Sequence, residues 1–265
     1  MINVTKPAAK ARLQRRLARL ENTQRAKLAK DLRVILREQY EEAAQLVEQG
    51  YGHSMDVLLD QWVADYVKAF WAGFRRTGAV FSQLVFDALQ QLKLAEPTGR
   101  KGIGDEFWNS FASFINLHTA GKVQRVSGNT KRFIKRIIDR GTSEGKSPKE
   151  IAKDLRASGE FNKARANRIA RTEVHMASNF ATQAAVKSTR LRMEKEWVAF
   201  LDERTRPEKY ADPKWNHRAA NGQRVPMDQD FTISGERMAY PGDPRGSAGN
   251  VINCRCVLMY HTIRQ

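Results

Sequence analysis

Cys254 and Cys256 are separated by one residue, and they are the two cysteines of a 265-residue sequence. The run Val251 to Tyr260 reads as a strand. Alternate strand residues share a face, so both thiols should point the same way. A disulfide between such close neighbours is strained, whereas a shared metal ion is not. With His217 and Asp202, the two cysteines would make a set of two thiolates, an imidazole and a carboxylate, ligand types that suit zinc. A C-x-C pair is a weaker sign of zinc than paired C-x-x-C motifs. The competing reading has Cys254 and Cys256 packing the strand as small buried residues, with Asp202 and His217 holding loops by hydrogen bonds.

Arg171 and Glu173 fall on an expected long helix. They suggest a buried arginine–carboxylate network joining that helix to the β region that follows. Asp202, at the end of a strand led by Trp197, is the candidate carboxylate for Arg171, Arg204 or Arg206. His175 reads as exposed or structural, and His118, beside an apolar face, as structural. Asn216-His217 with Asn221 superficially suggest an HNH-type nuclease, but proline and glycine surround them where that motif needs a ββα frame. Glu194-Lys195-Glu196 matches the E-x-E of ADP-ribosyltransferases without the rest of that signature. The sequence has no G-x-x-x-x-G-K-[ST] phosphate loop and no defensible Ser-His-Asp arrangement. No catalytic residue is assigned.

Two segments concentrate positive charge. Arg12, Arg15, Arg16 and Arg19 lie on the polar side of an amphipathic helix whose apolar side carries Leu13, Leu17, Leu20, Leu28, Leu32 and Ile35. Lys131, Arg132, Lys135 and Arg136 alternate with Phe133, Ile134, Ile137 and Ile138. Such faces can track phosphates without reading sequence, with an affinity that falls steeply with salt. The alternatives are an acidic protein surface, where rim charges mainly steer encounter, or an ordinary solvated helix face. The formal net charge of +17 favours a polyanionic partner that relieves self-repulsion.

The elements that must position these residues are mostly helical. After the first helix, Gly50 and Gly52 punctuate. Met55, Leu59, Trp62, Val63, Tyr66, Val67, Phe70, Trp71 and Phe74 then repeat at helical spacing as a core stripe. Thr77-Gly78 reads as a break before a helix over Val80 to Leu92. Glu96-Pro97-Thr98-Gly99 is a loop, and Phe107 to His118 a further helix. Ser127-Gly128-Asn129 is a candidate domain boundary. Ser147-Pro148-Lys149-Glu150 is a capping box with proline at the first helical position. A long helix from about Asn162 to Arg190 carries a small stripe of Ala170, Val174, Ala177, Ala181 and Ala184. Beyond Arg192, strands are expected at Trp197 to Leu201 and at Val251 to Tyr260, around a Gly- and Pro-rich stretch from Pro207 to Gly249.

Composition bounds the rest. Hydrophobic residues make up 41% of the chain, enough for a packed core of one or two domains of about 150 residues each. Two cysteines argue against a disulfide-stapled secreted fold. Charges interrupt every apolar run short of the about 20 residues that a membrane helix needs.

From about Thr130 to His261 the sequence resembles the phage head morphogenesis family, the Mu F-like minor head proteins. Ile169-Ala170-Arg171-Thr172-Glu173-Val174 is similar to a helical family signature. Trp197 followed by Asp202-Glu203-Arg204-Thr205-Arg206 matches a second block. His217, Gly222 and Phe231 follow in order, and Pro241-Gly242-Asp243-Pro244 and Asn253-Cys254-Arg255-Cys256 match the closing blocks. Two features depart from the pattern: extra residues between Arg206 and His217, and Val251-Ile252 where some members carry a histidine. Toxin or transferase domains fused to some members are not expected within these 265 residues.

The expectation is an α+β chain, mostly α. A helical domain, 1–126, carries the basic N-terminal helix, and a Mu F-like domain, 127–265, has long helices and a small β-sheet. The resemblance implies a minor head protein of a tailed bacteriophage, made in the host cytoplasm and placed in the virion, inside the head or at the portal vertex. It would contact the portal protein, the double-stranded DNA and the major capsid or scaffold protein, need no membrane for assembly, and act in head assembly, genome retention or delivery. Its structural motif would rest on Arg171, Thr172, Glu173, Trp197, Arg204 and Arg206. The cofactor expectation is zinc or none. The rivals are a metal-dependent nuclease that loses cleavage with His217→Ala, and a basic helical bundle that binds nucleic acid outside any phage.

Overall fold

A computed structural model describes residues 1–51, 61–94, 104–160, 162–206 and 215–263. Met55 and Leu59 of the aromatic stripe, the Glu96 to Gly99 loop and the Pro207 end of the loop-rich stretch lie outside the described residues.

The chain opens with α1 (Pro7–Glu48), α2 (Val63–Gln91) and α3 (Asp105–Ser143), followed by α4 (Pro148–Glu160) and α5 (Asn162–Ser188). Then come β1 (Met193–Val198), β2 (Arg224–Pro226), β3 (Phe231–Ile233), β4 (Glu236–Met238), a one-turn α6 (Ala248–Val251) and β5 (Val257–Thr262). The class is α+β, mostly α. Among the described residues no helix is long and apolar enough to cross a membrane.

Helix ends follow local chemistry. α1 stops at Gly50, whose φ of +84° is open to glycine. Tyr51 N–H reaches Leu46 C=O at 2.8 Å and Gly50 N–H reaches Val47 C=O at 3.1 Å, the paired bonds of a Schellman stop. The expected capping box opens α4: Ser147 N–H donates to Glu150 Oε2 at 2.8 Å, and Glu150 N–H donates back to Ser147 Oγ at 3.4 Å.

One expected break and one candidate boundary both fall inside helices. Thr77-Gly78 lies inside α2, because Gly78 serves close packing rather than a turn: a Cβ there would stand 2.2 Å from Phe111 Cε1. Ser127-Gly128-Asn129 lies inside α3, which runs through the expected domain boundary at residue 127. Val123, Val126 and Ile134 are all buried, so the apolar stripe continues across the glycine and outweighs its cost of about 1 kcal/mol.

The chain forms two compact units, each built from separate segments. One comprises Met1–Gln24, Phe74–Ser113 and Arg171–Gln265; the other comprises Arg25–Gly73 and Phe114–Ala170.

The second unit is helical. Tyr40, Ala43, Ala44 and Val47 of α1 pack with Ile134 of α3 and with Ile151, Ala152 and Leu155 of α4. Gly141 admits Ile151 against the helix backbone, where a Cβ would stand 2.6 Å from Ile151 Cγ1. At its surface Arg156 clasps Glu41 at 3.1 Å and Glu48 at 2.8 Å.

The first unit holds the sheets. β1 pairs antiparallel with β2 and β5, and β3 pairs antiparallel with β4. Phe107 and Phe111 stack at 5.4 Å, Phe111 meets Phe180 of α5 at 5.9 Å, and Phe180 meets Tyr240 at 5.6 Å. Val174, Ala177, Ala181 and Ala184 are buried on α5, so the small-residue stripe lets neighbours come close. Gly242 uses that space at φ +83°, where a Cβ would lie 3.3 Å from Met176 Cα. Ile2 forms a parallel bridge with Tyr260, and Thr262 N–H donates to Asn3 Oδ1 at 2.9 Å.

Candidate functional site

Trp197, fully buried on β1, sets the floor of the site. It pairs with Leu258 of β5, and its indole meets the His217 ring edge-on at 5.8 Å. Two backbone bonds hold the His217 turn to β1: Trp197 N–H to Gln223 C=O at 2.9 Å, and Gly222 N–H to Trp197 C=O at 2.8 Å. Asn221 Oδ1 accepts from Ala199 N–H at 2.9 Å, fixing the strand end.

Cys254 and Cys256 are both buried, with free thiols. Contrary to expectation they precede β5, in the link from α6, rather than lying on a strand. The C-x-C spacing still brings both sulfurs to one imidazole: Cys254 Sγ lies 3.6 Å and Cys256 Sγ 3.4 Å from His217 Nδ1. The far side of that ring faces Asn250 Oδ1 at 3.1 Å. The Asn250 amide donates to Ile233 C=O at 3.2 Å and Glu236 Oε2 at 2.9 Å, so its oxygen must be the atom that faces the histidine. His217 Nε2 also lies 3.4 Å from Arg206 Nη1, and Nδ1 is the ring nitrogen turned to the sulfurs.

The two thiols differ. Burial resists ionisation of Cys254, but Cys256, His217 and His175 outweigh it and hold Cys254 toward the thiolate. Burial and the neighbouring Cys254 push Cys256 the other way.

Asp202 is not part of this group. Arg255, between the two cysteines, points away from them and takes the Asp202 carboxylate with both terminal nitrogens, one at 2.8 Å. Thr205 Oγ1 and Arg204 N–H add donors at 3.1 Å each. The Arg255 hydrogen bonds chiefly, with this turn, hold the Asp202 carboxyl down at about 2. The expected side-chain partners Arg171, Arg204 and Arg206 are thus replaced by Arg255, with Arg204 contributing its backbone. Arg171 instead donates to Asn253 Oδ1 at 3.3 Å, still tying α5 to the loop before β5. Arg206, buried, donates to Asn250 C=O at 3.3 Å and to Ile252 C=O, bracing that loop. Thr172 and Glu173 are buried on α5.

His175 is the residue whose place the sequence left open. It is buried, and its Nδ1 lies 3.1 Å from Glu21 Oε1 of α1, where Ser178 Oγ also donates at 2.6 Å. Burial lowers the His175 pKa, but the Glu21 carboxylate and Cys254 outweigh it and raise it to about 10. A second buried charge group went unread: Glu196 on β1 meets Lys10 of α1, and His261 Nε2 at 2.6 Å. Their spacing of 65 residues and more leaves no local pattern to find.

The basic faces are placed as helical spacing demands. Arg12, Arg15, Arg16 and Arg19 are all exposed on α1. On α3, Arg132, Lys135 and Arg136 are exposed and Lys131 is half-buried. Phe133 stands 46% exposed among them, its ring 5.2 Å from the Arg136 guanidinium and 5.7 Å from that of Arg165.

Comparison with known proteins adds relatives. The family model of Phage Mu protein F like protein matches residues 132–259. The minor head protein GP7 of Bacillus phage SPP1 is 34% identical over 131 residues, 46% of this chain and 38% of that protein. An NAD(+)–arginine ADP-ribosyltransferase, EFV, of Enterococcus faecalis is 33% identical over 154 residues, 54% of this chain and 29% of that protein. The uncharacterized protein YqbB of Bacillus subtilis is 29% identical over 132 residues, 49% of this chain and 41% of that protein. The chain thus spans less than half the length of these relatives. No solved structure matches. The matched stretch contains the signature on α5, the Trp197 strand, the Asp202 turn, His217 and the Asn253 to Cys256 loop, and over residues 132–259 the chain is similar to the Phage Mu protein F like family.

Proposed function

We propose that this protein is a minor head protein of a tailed bacteriophage, carried in the virion, where it contacts the portal and the packaged double-stranded DNA during head assembly, genome retention or delivery. The family and the phage relative supply the first half of that reading. The observation that carries the DNA contact is the arginine face of α1, four exposed guanidinium groups within eight residues of a chain with net charge +17. Each phosphate that such a face neutralises releases counterion, so binding should be tight at low salt, indifferent to sequence and steeply weakened by salt.

A structural rather than catalytic role fits the residues that most suggest enzymes. Glu196 of Glu194-Lys195-Glu196 is buried and engaged by Lys10 and His261, which leaves that carboxylate closed to a substrate. His217, the centre of the HNH-like stretch, is buried against two thiols and Asn250.

Two measurements on the full chain test the proposal. Co-elution with the portal protein of the same phage, after nuclease treatment and in high salt, is expected to survive; separation of the two would remove the portal contact. Binding to a random duplex should follow a linear plot of log affinity against log salt. Replacing Arg12, Arg15, Arg16 and Arg19 by alanine should flatten its slope by about 3 to 4. An unchanged slope would take DNA off this face.

A further inference from the structure

We propose that His217 Nδ1, Cys254 Sγ and Cys256 Sγ form a binding site for one thiophilic divalent cation, zinc by its chemistry. The three atoms lie within 4.8 Å of one another and all three residues are buried. A tetrahedral zinc ion with Zn–S of about 2.3 Å and Zn–N of about 2.0 Å would set sulfur and nitrogen about 3.5 Å apart. The observed separations are 3.6 and 3.4 Å, so both sulfur–nitrogen spacings suit the ion. Thiolate and imidazole together select a soft or borderline cation over magnesium or calcium, which prefer oxygen.

The surroundings match what a ligating histidine needs. Asn250, itself fixed by Ile233 and Glu236, and the Arg206 guanidinium hold the Nε2 edge of the ring, which leaves Nδ1 aimed at the metal position. The fourth coordination position falls to a small ligand such as water. A cavity lined by Thr205, Arg206 and Asn253 lies against the cluster and would admit it. Asp202, closed off by Arg255, is excluded from the ligand set. The ion would tie the His217 turn to the loop before β5 and so lock the β region. This reading does not depend on the phage role proposed above.

The test uses the full chain, reduced, without a polyhistidine tag, and with zinc or cobalt as the probe. Elemental analysis should give about one zinc per chain. Cobalt in its place should develop the thiolate charge-transfer band and the strong visible bands of a tetrahedral site. Cys256→Ser and His217→Ala should lose that spectrum, while Asp202→Asn should keep it. The wild-type cobalt spectrum needs no variant, so a folding defect in one cannot hide the answer. Folded wild-type protein that takes up neither ion with its thiols reduced would overturn the proposal. So would a spectrum without thiolate character, or loss of the metal in Asp202→Asn.

Discussion

Glu21 and His175 place a carboxylate and an imidazole in a water-poor position between α1 and α5, with Ser178 as a further donor. Breaking such a pair from one side strands the other charge, which costs about 3 kcal/mol or more. His175→Ala should therefore lower unfolding free energy by about that amount in urea titrations, with little change in slope. A loss below about 1 kcal/mol would mean that Glu21 finds water or another donor. Asp202 makes a different prediction. Its carboxyl is held at about 2 against an ordinary value of 3.8, so it stabilises the fold above pH 3.8 and loses that contribution as pH falls toward 2. Acid unfolding of Asp202→Asn should start from lower stability at neutral pH and converge with wild type near pH 2. Parallel curves throughout would show that the carboxylate charge is not what matters. At this scale the sequence yielded residue types more readily than partners. Both cysteines and His217 could be singled out from sulfur and imidazole chemistry. Asp202 looked like a fourth ligand because nothing in its neighbourhood reveals that Arg255, placed between the cysteines, would point outward and take it.

At the scale of elements, the glycines misled most. Thr77-Gly78 read as a break and Ser127-Gly128-Asn129 as a candidate domain boundary, and both lie inside long helices. A glycine reads the same locally whether it ends a helix or lets a neighbour approach, and the neighbour is far away in sequence. The two sites should answer substitution with opposite signs. Gly78→Ala drives a methyl into Phe111, 2.2 Å from Cε1, and should destabilise by about 1–3 kcal/mol despite better helix propensity. Gly128→Ala meets nothing within 4 Å and should stabilise by about 0.4–1 kcal/mol. Thermal melts of the two variants check this, and a gain in both would mean that Phe111 yields freely. The helix caps were legible because they are local: Ser147 to Glu150 forms the expected box, and Gly50 the expected stop. The strands were legible as β, but their edges shifted by several residues, since the short α6 turn occupies part of the run expected to extend from Val251.

For the whole molecule, helical periodicity and element order gave the class, composition the charge, and the ordered motifs the family resemblance. The division into units was not legible. Apolar periodicity reports which face of a helix is buried, but not which partner covers it. Four helices each have residues in both units, so no single cut in the sequence separates them. That arrangement bears on the order of events during synthesis. Asn3 and Thr262 are hydrogen-bonded across 259 residues, and Ile2 bridges Tyr260. A ribosome adding about 5–20 residues per second will have held the start of α1 outside its exit tunnel for many seconds before β5 exists to meet it. Contacts between such distant residues also form slowly. For that interval the apolar sides of the first helices and the Trp197 strand have no final partner.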